Sequence, residues 1–328
     1  MSDTKLNPDV LRHLNIVLRL QLMAVKQHFI HVLTLEAWGD PETAAGITAI
    51  DSVDLPNAMR IVDFIISSNA LPELCDGQQC LAEHMPTPGS TYEEIFAAER
   101  RLEKRLIRAL HAGENATSAA GMHTATNLTL DPISPRKRYE EWIENKVAEG
   151  LRSAKSTLEL SAVAQPSLNT LFAHLMVVIE QGLIHSFVHW HGGEWKLADT
   201  AWEVSGAAMM QATEITKLLA TCYSAPAPAE AVVSNTVMLP NIGSTSDEAI
   251  MFDRALAERV CATAKRATEI LSETKFEPVC RDCEAYFRAA RDWQPGLSLP
   301  EITNPCRDFE RMLREYVWKD GGTGLATA

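Results

Sequence analysis

Apolar residues recur along this chain at three- and four-residue spacing, the period of a helix that buries one face. Leu14, Leu18, Leu22, Val25, Phe29 and Val32 mark the first stripe, which predicts a helix over 11–38 stopped by Gly39-Asp40-Pro41. Leu55, Met59, Val62 and Ile66 mark a second helix over 52–69, with Pro56 near its start, where a missing N–H costs little. An irregular segment follows, LPELCDGQQCLAEHMPTPGS. Ser90-Thr91 ahead of Glu93-Glu94 then reads as an N-cap with first-turn acids, opening a helix over 92–111. Residues 112–135, rich in Gly, Ala, Thr and Asn, read as a loop, and 136–164 as a further helix.

The first stretch returns. Leu14–His31, LNIVLRLQLMAVKQHFIH, reappears 154 residues later as Leu168–His185, LNTLFAHLMVVIEQGLIH. The same shift pairs Pro72 with Pro226, Pro86 with Pro240, and Gly89-Ser90-Thr91 with Gly243-Ser244-Thr245. Amphipathic helices match one another easily; prolines and a Gly-Ser-Thr in an irregular segment do not. A duplicated unit is therefore expected. The second half reads as helices over 167–190, 195–223 and 245–273, with 225–243 irregular and less regular helices over 283–293 and 307–319. Two helices, a long crossover and two more helices is the ferritin-like plan of the four-helix bundle. The expected fold is all-α: two tandem ferritin-like four-helix bundles with long helix 2–3 crossovers, related by a pseudo-two-fold. Bundle 1 would occupy 1–165; bundle 2 would occupy 166–328, with an irregular cysteine-containing C-terminal region.

Composition narrows the function. A chain of 328 residues, 46% of them hydrophobic, can bury two cores. A net charge of −13 argues against nucleic acid or an anionic membrane as partner. With no basic-plus-apolar leader and no uninterrupted 18-residue apolar run, a cytoplasmic protein that spans no membrane is expected. Seven cysteines without a regular framework read as reduced thiols. Cys280-Arg-Asp-Cys283, with Cys306 beyond, has the spacing of a metal knuckle but no second pair, and Cys75 and Cys80 share the crossover, where they could approach each other.

The stretch LNIVLRLQLMAVKQHFIHVLTLEAWGD resembles the first helix of bacterioferritins, with its Leu-Asn opening, its Ala-x-x-Gln-aromatic-Phe-x-His pattern and a Trp-Gly soon after. SSNALPELCDG resembles the end of that family's second helix, and EEIFAAERRLEKRLIRAL its third. The resemblance is good over 11–111, weaker over 136–164, and reaches the second half through the repeat. It implies a ferritin-like fold, a di-iron centre and redox or iron-handling chemistry, with iron or another transition metal as cofactor. The family's haem-ligating methionine falls on Leu55, so no haem is expected.

Carried over position by position, the family's metal ligands fall in bundle 1 on Gln21, on Asp54 and Asn57 of Asp54-Leu55-Pro56-Asn57, on Glu103, and on Glu149 and Arg152 of Glu149-Gly150-Leu151-Arg152. Candidate metal ligands are thus Asp54, Glu103, Glu149, Gln21 and, seven residues along the same helix, His28. Arg152 could instead pair with Glu103 or Glu149 in an ion network. In bundle 2 the shifted positions are Leu175, Ala208, Gln211 and Ala257, which suit a packed core. His185 and His189, four apart on one stripe with Gln181, are the candidate ligands there. Two readings stay open: a metal-dependent redox protein of oxidase or oxygenase type with a remodelled site, and a non-catalytic ferritin-like scaffold or interaction protein that has lost its di-iron centre. A small-molecule or metal ligand is the expected partner, and a homo-oligomer is open to it.

Overall fold

The computed structural model describes residues 6–151, 164–221, 226–233, 237–272 and 274–293, and every regular element among them is an α-helix. The first half runs α1 (Pro8–Ala37), α2 (Pro41–Ser67), the short α3 (Gln78–Glu83), α4 (Tyr92–Ala119), α5 (His123–Leu130) and α6 (Ile133–Glu149). The second runs α7 (Ala164–His191), α8 (Trp195–Ala220), the short α9 (Pro228–Val233), α10 (Ser246–Ile270) and α11 (Glu277–Asp292). Arg152, Cys222, Cys306 and the helix expected over 307–319 lie outside the described residues.

Two boundaries differ from expectation. Helix α2 starts at Pro41, capped by the Asp40 carboxylate, which accepts from the Thr43 N–H at 3.2 Å, so Pro56 sits inside the helix. Ala44, Ile47 and Ile50 extend its buried face at helical spacing, and that burial outweighs one missing hydrogen bond. The segment 112–135 is mostly helical. Its polar residues satisfy themselves within the helix: Thr117 Oγ1 donates to the Gly113 carbonyl at 2.8 Å, and Thr129 Oγ1 to the Thr126 carbonyl at 2.9 Å.

Several contacts recur 154 residues apart. Thr91 and Thr245 cap α4 and α10 by accepting from the N–H of Glu94 (3.2 Å) and Glu248 (3.3 Å). Each of those glutamates reaches back to the N–H of Ser90 (2.7 Å) or Ser244 (2.8 Å), closing a capping box. Asn15 Oδ1 accepts from the Glu73 N–H at 3.0 Å, and Asn169 Oδ1 from the Ala227 N–H at 2.9 Å, each tying a first helix to its crossover.

The cores interlock. One apolar cluster is built mainly from α7, α8, α10 and α11 but takes in Ile30, Leu81 and Met85; another, around α1, α2 and α4, takes in Leu183 and Ile184. Between them Lys26 and Glu180, both buried, form an ion pair across the halves. Helix α7 is long and apolar enough to cross a membrane by length and composition, but 94% of its apolar window is buried inside the protein, as suits a central core helix.

The capping turns allow no side chain at their glycines. A Cβ on Gly89 would lie 2.6 Å from the Ile95 backbone nitrogen, whereas one on Gly206, within α8, meets nothing within 4 Å. Gly89→Ala should therefore destabilise by about 1–3 kcal/mol, while Gly206→Ala should be neutral or stabilise by up to ~1 kcal/mol. Urea unfolding of the two variants reads the opposite signs.

Candidate functional site

Four helices of the first half aim polar side chains at one buried point. Helix α1 brings Gln21, Gln27, His28 and His31; α2 brings Asp54 and Asn57; α4 brings Glu99 and Glu103; α6 brings Arg136 and Tyr139. The i,i+3 and i,i+4 spacings set each group on one face of its helix. Asp54, Glu99, Glu103, His28, His31 and Arg136 are all fully buried.

Arg136 stands at the centre. Its guanidinium donates one N–H to Asp54 Oδ1 and another to Glu103 Oε1, joining α6 to α2 and α4. Asn57 Nδ2 donates to Gln21 Oε1 at 3.2 Å and to the Leu128 carbonyl at 2.9 Å. His28 bridges Asp54 (Nδ1–Oδ2 3.5 Å) and Glu99 (Nε2–Oε2 3.0 Å). His31 Nδ1 lies 2.5 Å from Glu99 Oε1, and its Nε2 3.0 Å from the Thr87 carbonyl. Tyr139 donates its hydroxyl to Glu99 Oε2 at 3.0 Å and stacks on Trp142.

The two glutamates respond differently. Burial pushes the Glu99 carboxyl up, but His28 and His31 outweigh it and hold the group well below the usual carboxylate range. Burial pushes the Glu103 carboxyl up to about 8 against the pull of His28, while the ion pair with Arg136 favours its charged form.

Gln21, His28, Asp54 and Glu103 are thus brought together. Glu149 is not. It ends α6 with its side chain 65% exposed, 3.3 Å from Lys146. The reason is the helical content of 112–135: α6 begins at Ile133, so its inward i,i+3 pair is Arg136 and Tyr139. Glu99, Arg136 and Tyr139 went unread in the sequence. Glu99 lies one turn before Glu103 on the same face, a signal that was there to be used.

In the second half Leu175, Ala208 and Ala257 are buried among apolar neighbours. His185 is engaged at both nitrogens, Nδ1 with Asp253 Oδ1 at 2.7 Å and Nε2 with the Asn241 carbonyl at 3.0 Å. Gln181 donates to Asp253 (2.8 Å) and accepts from the Asn241 N–H (2.9 Å). Gln27 stands the same way to Glu99 (3.4 Å) and the Thr87 N–H (3.2 Å). His189 is buried, and its Nδ1 has no partner among the described residues; burial pulls its pKa down to about 4. The His185 and His189 rings lie 6.5 Å apart, edge to face.

No protein-family model matches the chain. Individual relatives do. Bacterioferritin of Mycobacterium bovis (strain ATCC BAA-935 / AF2122/97) is 32% identical over 155 residues, 45% of this chain and 94% of that protein. Bacterioferritin BfrA of Mycobacterium tuberculosis (strain ATCC 25618 / H37Rv) matches to the same extent. Bacterioferritin of Mycobacterium leprae (strain TN) is 28% identical over 143 residues, 43% of this chain and 86% of its own. The chain belongs to the bacterioferritin family. Ferritin-like di-iron bundles draw a Glu from each of two helices and a Glu-x-x-His from each of the other two. The inward polar positions of the four helices in this bacterioferritin-family chain are Gln21 on α1, Asp54 and Asn57 on α2, Glu103 on α4, and Arg136 and Tyr139 on α6.

Removing Arg136 alone strands two buried carboxylates. Arg136→Leu should cost about 3–5 kcal/mol in urea unfolding, and replacing Asp54, Glu103 and Arg136 together by apolar residues of similar volume should cost much less. Glu99 adds a pH signature. Its folded pKa is depressed, so its contribution is complete above the ordinary value of 4.5 and is lost as pH falls from there through the folded value. Glu99→Gln should lower the melting temperature at neutral pH and narrow the gap to wild type in acid, as calorimetry across pH would record.

Proposed function

We propose that this chain is a non-catalytic ferritin-like scaffold or interaction protein, built by tandem duplication of one bacterioferritin-type unit, in which a guanidinium replaces the di-iron centre. The observation that carries this reading is Arg136, buried between Asp54 and Glu103. A single fixed positive charge already pairs with both acids. Two metal ions need more anionic ligands and imidazoles, and the i,i+3 partners here are Asn57 and Tyr139. Around the guanidinium stand two acids, two amides and a phenol, and the remaining acid, Glu99, is engaged by His28, His31 and Tyr139; this set does not fit two irons, so no redox step is routed through this site. In the second half the positions of Asp54 and Glu103 are Ala208 and Ala257, and Gln211 stands where Asn57 does, so these positions carry no charge.

Duplication is supported by the recurring hydrogen bonds and by Lys26 and Glu180. These are 154 residues apart, the repeat period itself, and they touch. A position meets its own counterpart only on a two-fold axis, the signature of an isologous interface. One chain would then supply in fusion what two subunits supply elsewhere.

Aerobic iron oxidation and metal analysis after anaerobic loading with Fe²⁺ test the reading. The wild-type chain should hold no iron that depends on Glu103, and should oxidise Fe²⁺ no faster than buffer. A variant carrying Gln21→Glu, Asn57→His, Arg136→Glu and Tyr139→His should gain iron binding. Iron in the wild type that disappears in Glu103→Gln would instead favour the redox reading, with Arg136 displaced.

A further inference from the structure

The crossover between α2 and α4 carries a second concentration of ligand atoms, apart from the Arg136 network. Cys75 lies in the extended chain before α3, Cys80 within α3, and His84 one turn later at the C-cap of α3. The Cys75 and Cys80 sulfurs are 2.8 Å apart, and His84 Nδ1 is 3.8 Å from each. The three atoms form a closed triangle, with Cys75 buried and the other two partly covered. We propose that Cys75, Cys80 and His84 bind a thiophilic divalent cation of the zinc type, with a fourth coordination position left to water.

Geometry supports this first. A tetrahedral ion with metal–sulfur bonds of about 2.3 Å and a metal–nitrogen bond of about 2.0–2.1 Å spaces sulfur and nitrogen ~3.6 Å apart and two sulfurs ~3.8 Å apart. The sulfur–nitrogen edges already have that length, and the two sulfurs, now inside van der Waals contact, must separate by about 1 Å. Nδ1 also sits 2.8 Å from the Cys80 carbonyl oxygen, so binding exchanges that hydrogen bond for the metal and leaves the imidazole proton on Nε2.

Charge supports it next. Two thiolates, a divalent ion and a neutral imidazole sum to zero, which suits a half-buried site. The nearby Lys26 and Glu180 cancel each other. Burial lowers the His84 pKa and raises that of the Cys75 thiol. Binding is then M²⁺ + 2 RSH → M(SR)₂ + 2 H⁺, with no change of oxidation state.

The frame is pinned on both sides. Leu81 and Met85 pack into the core around α7, and Gln78 Nε2 donates to the Val237 carbonyl at 2.9 Å. The positions 154 residues on are Ala229, Ser234 and Met238, none of them a cysteine or histidine, so the cluster is not part of the repeated pattern.

Cobalt titration of the full-length, anaerobically reduced protein tests the proposal. One Co²⁺ per chain should bind with thiolate-to-metal charge-transfer absorption and intense visible bands of tetrahedral cobalt, release protons, and be displaced by Zn²⁺. Cys80→Ser and His84→Ala, both at partly exposed positions, should weaken Co²⁺ binding by at least ~100-fold while melting cooperatively. Cys261→Ala and Glu103→Gln should leave it unchanged, which separates this site from the Arg136 network. Absence of charge-transfer absorption in the reduced protein, or its survival in Cys80→Ser, overturns the proposal. So does a Cys75–Cys80 disulfide whose reduction yields no Co²⁺ binding.

Discussion

A fully buried guanidinium organises the first half of this molecule. Arg136 sits at the crossing of four helices with Asp54 and Glu103 against it, and His28 links that pair to Glu99. Burying such charges is expensive, and the attraction between them repays the desolvation only when geometry and hydrogen bonding are good. The arrangement therefore adds little net stability, yet it dictates which side chains can stand opposite one another. Helix α6 cannot rotate or slide without exposing two carboxylates to an apolar interior. The ion network thus sets the register of α6 against α2 and α4, a task that shared metal ligands perform in a di-iron bundle.

Around that centre the two halves keep one pattern and lose another. His31, Gln27, Glu99 and Thr87 form a clasp between the first helix, the third long helix and the end of the crossover. His185, Gln181, Asp253 and Asn241 form the same clasp in the second half. The clasp ties crossover backbone groups to the first helix whatever the centre contains. The centre itself is free to change. One half fills it with a charged network, the other with Leu175, Ala208 and Ala257. The polar residues that serve the backbone are alike in the two halves, while the residues at the centre differ chemically.

Much of the fold was legible in the chain. The long stripes of α1, α4, α7 and α10, the Thr91 and Thr245 caps, and the pairing of crossovers through shared prolines are local or periodic signals, and the helices stand where those signals put them. Half of the candidate site was legible too: Gln21, His28, Asp54 and Glu103 lie on helices whose register a stripe fixes. Where a local rule failed, tertiary burial overrode it. Pro56 looked like a helix start, but Ala44, Ile47 and Ile50 bury the turns before it.

What the sequence determined by itself is helical class and the stripes that place Gln21, His28, Asp54 and Glu103 on their helices, because these depend on contacts within a few residues or on a constant period. What only the tertiary structure decided is which residues of the fourth helix face inward. The segment 112–135 has the composition of a loop, yet its hydroxyls bond to carbonyls within the helix, and burial makes it helical. That puts Arg136 and Tyr139 inward and leaves Glu149 at the exposed end of α6, so a cation stands where an acid was expected. Likewise, Cys75, Cys80 and His84 are near in sequence, but their ligand atoms form one triangle where α3 is packed against α9, joined through Leu81 to the core around α7, and held to Val237. Chemistry at a buried site depends on where distant segments are brought to rest, and no local period counts that distance.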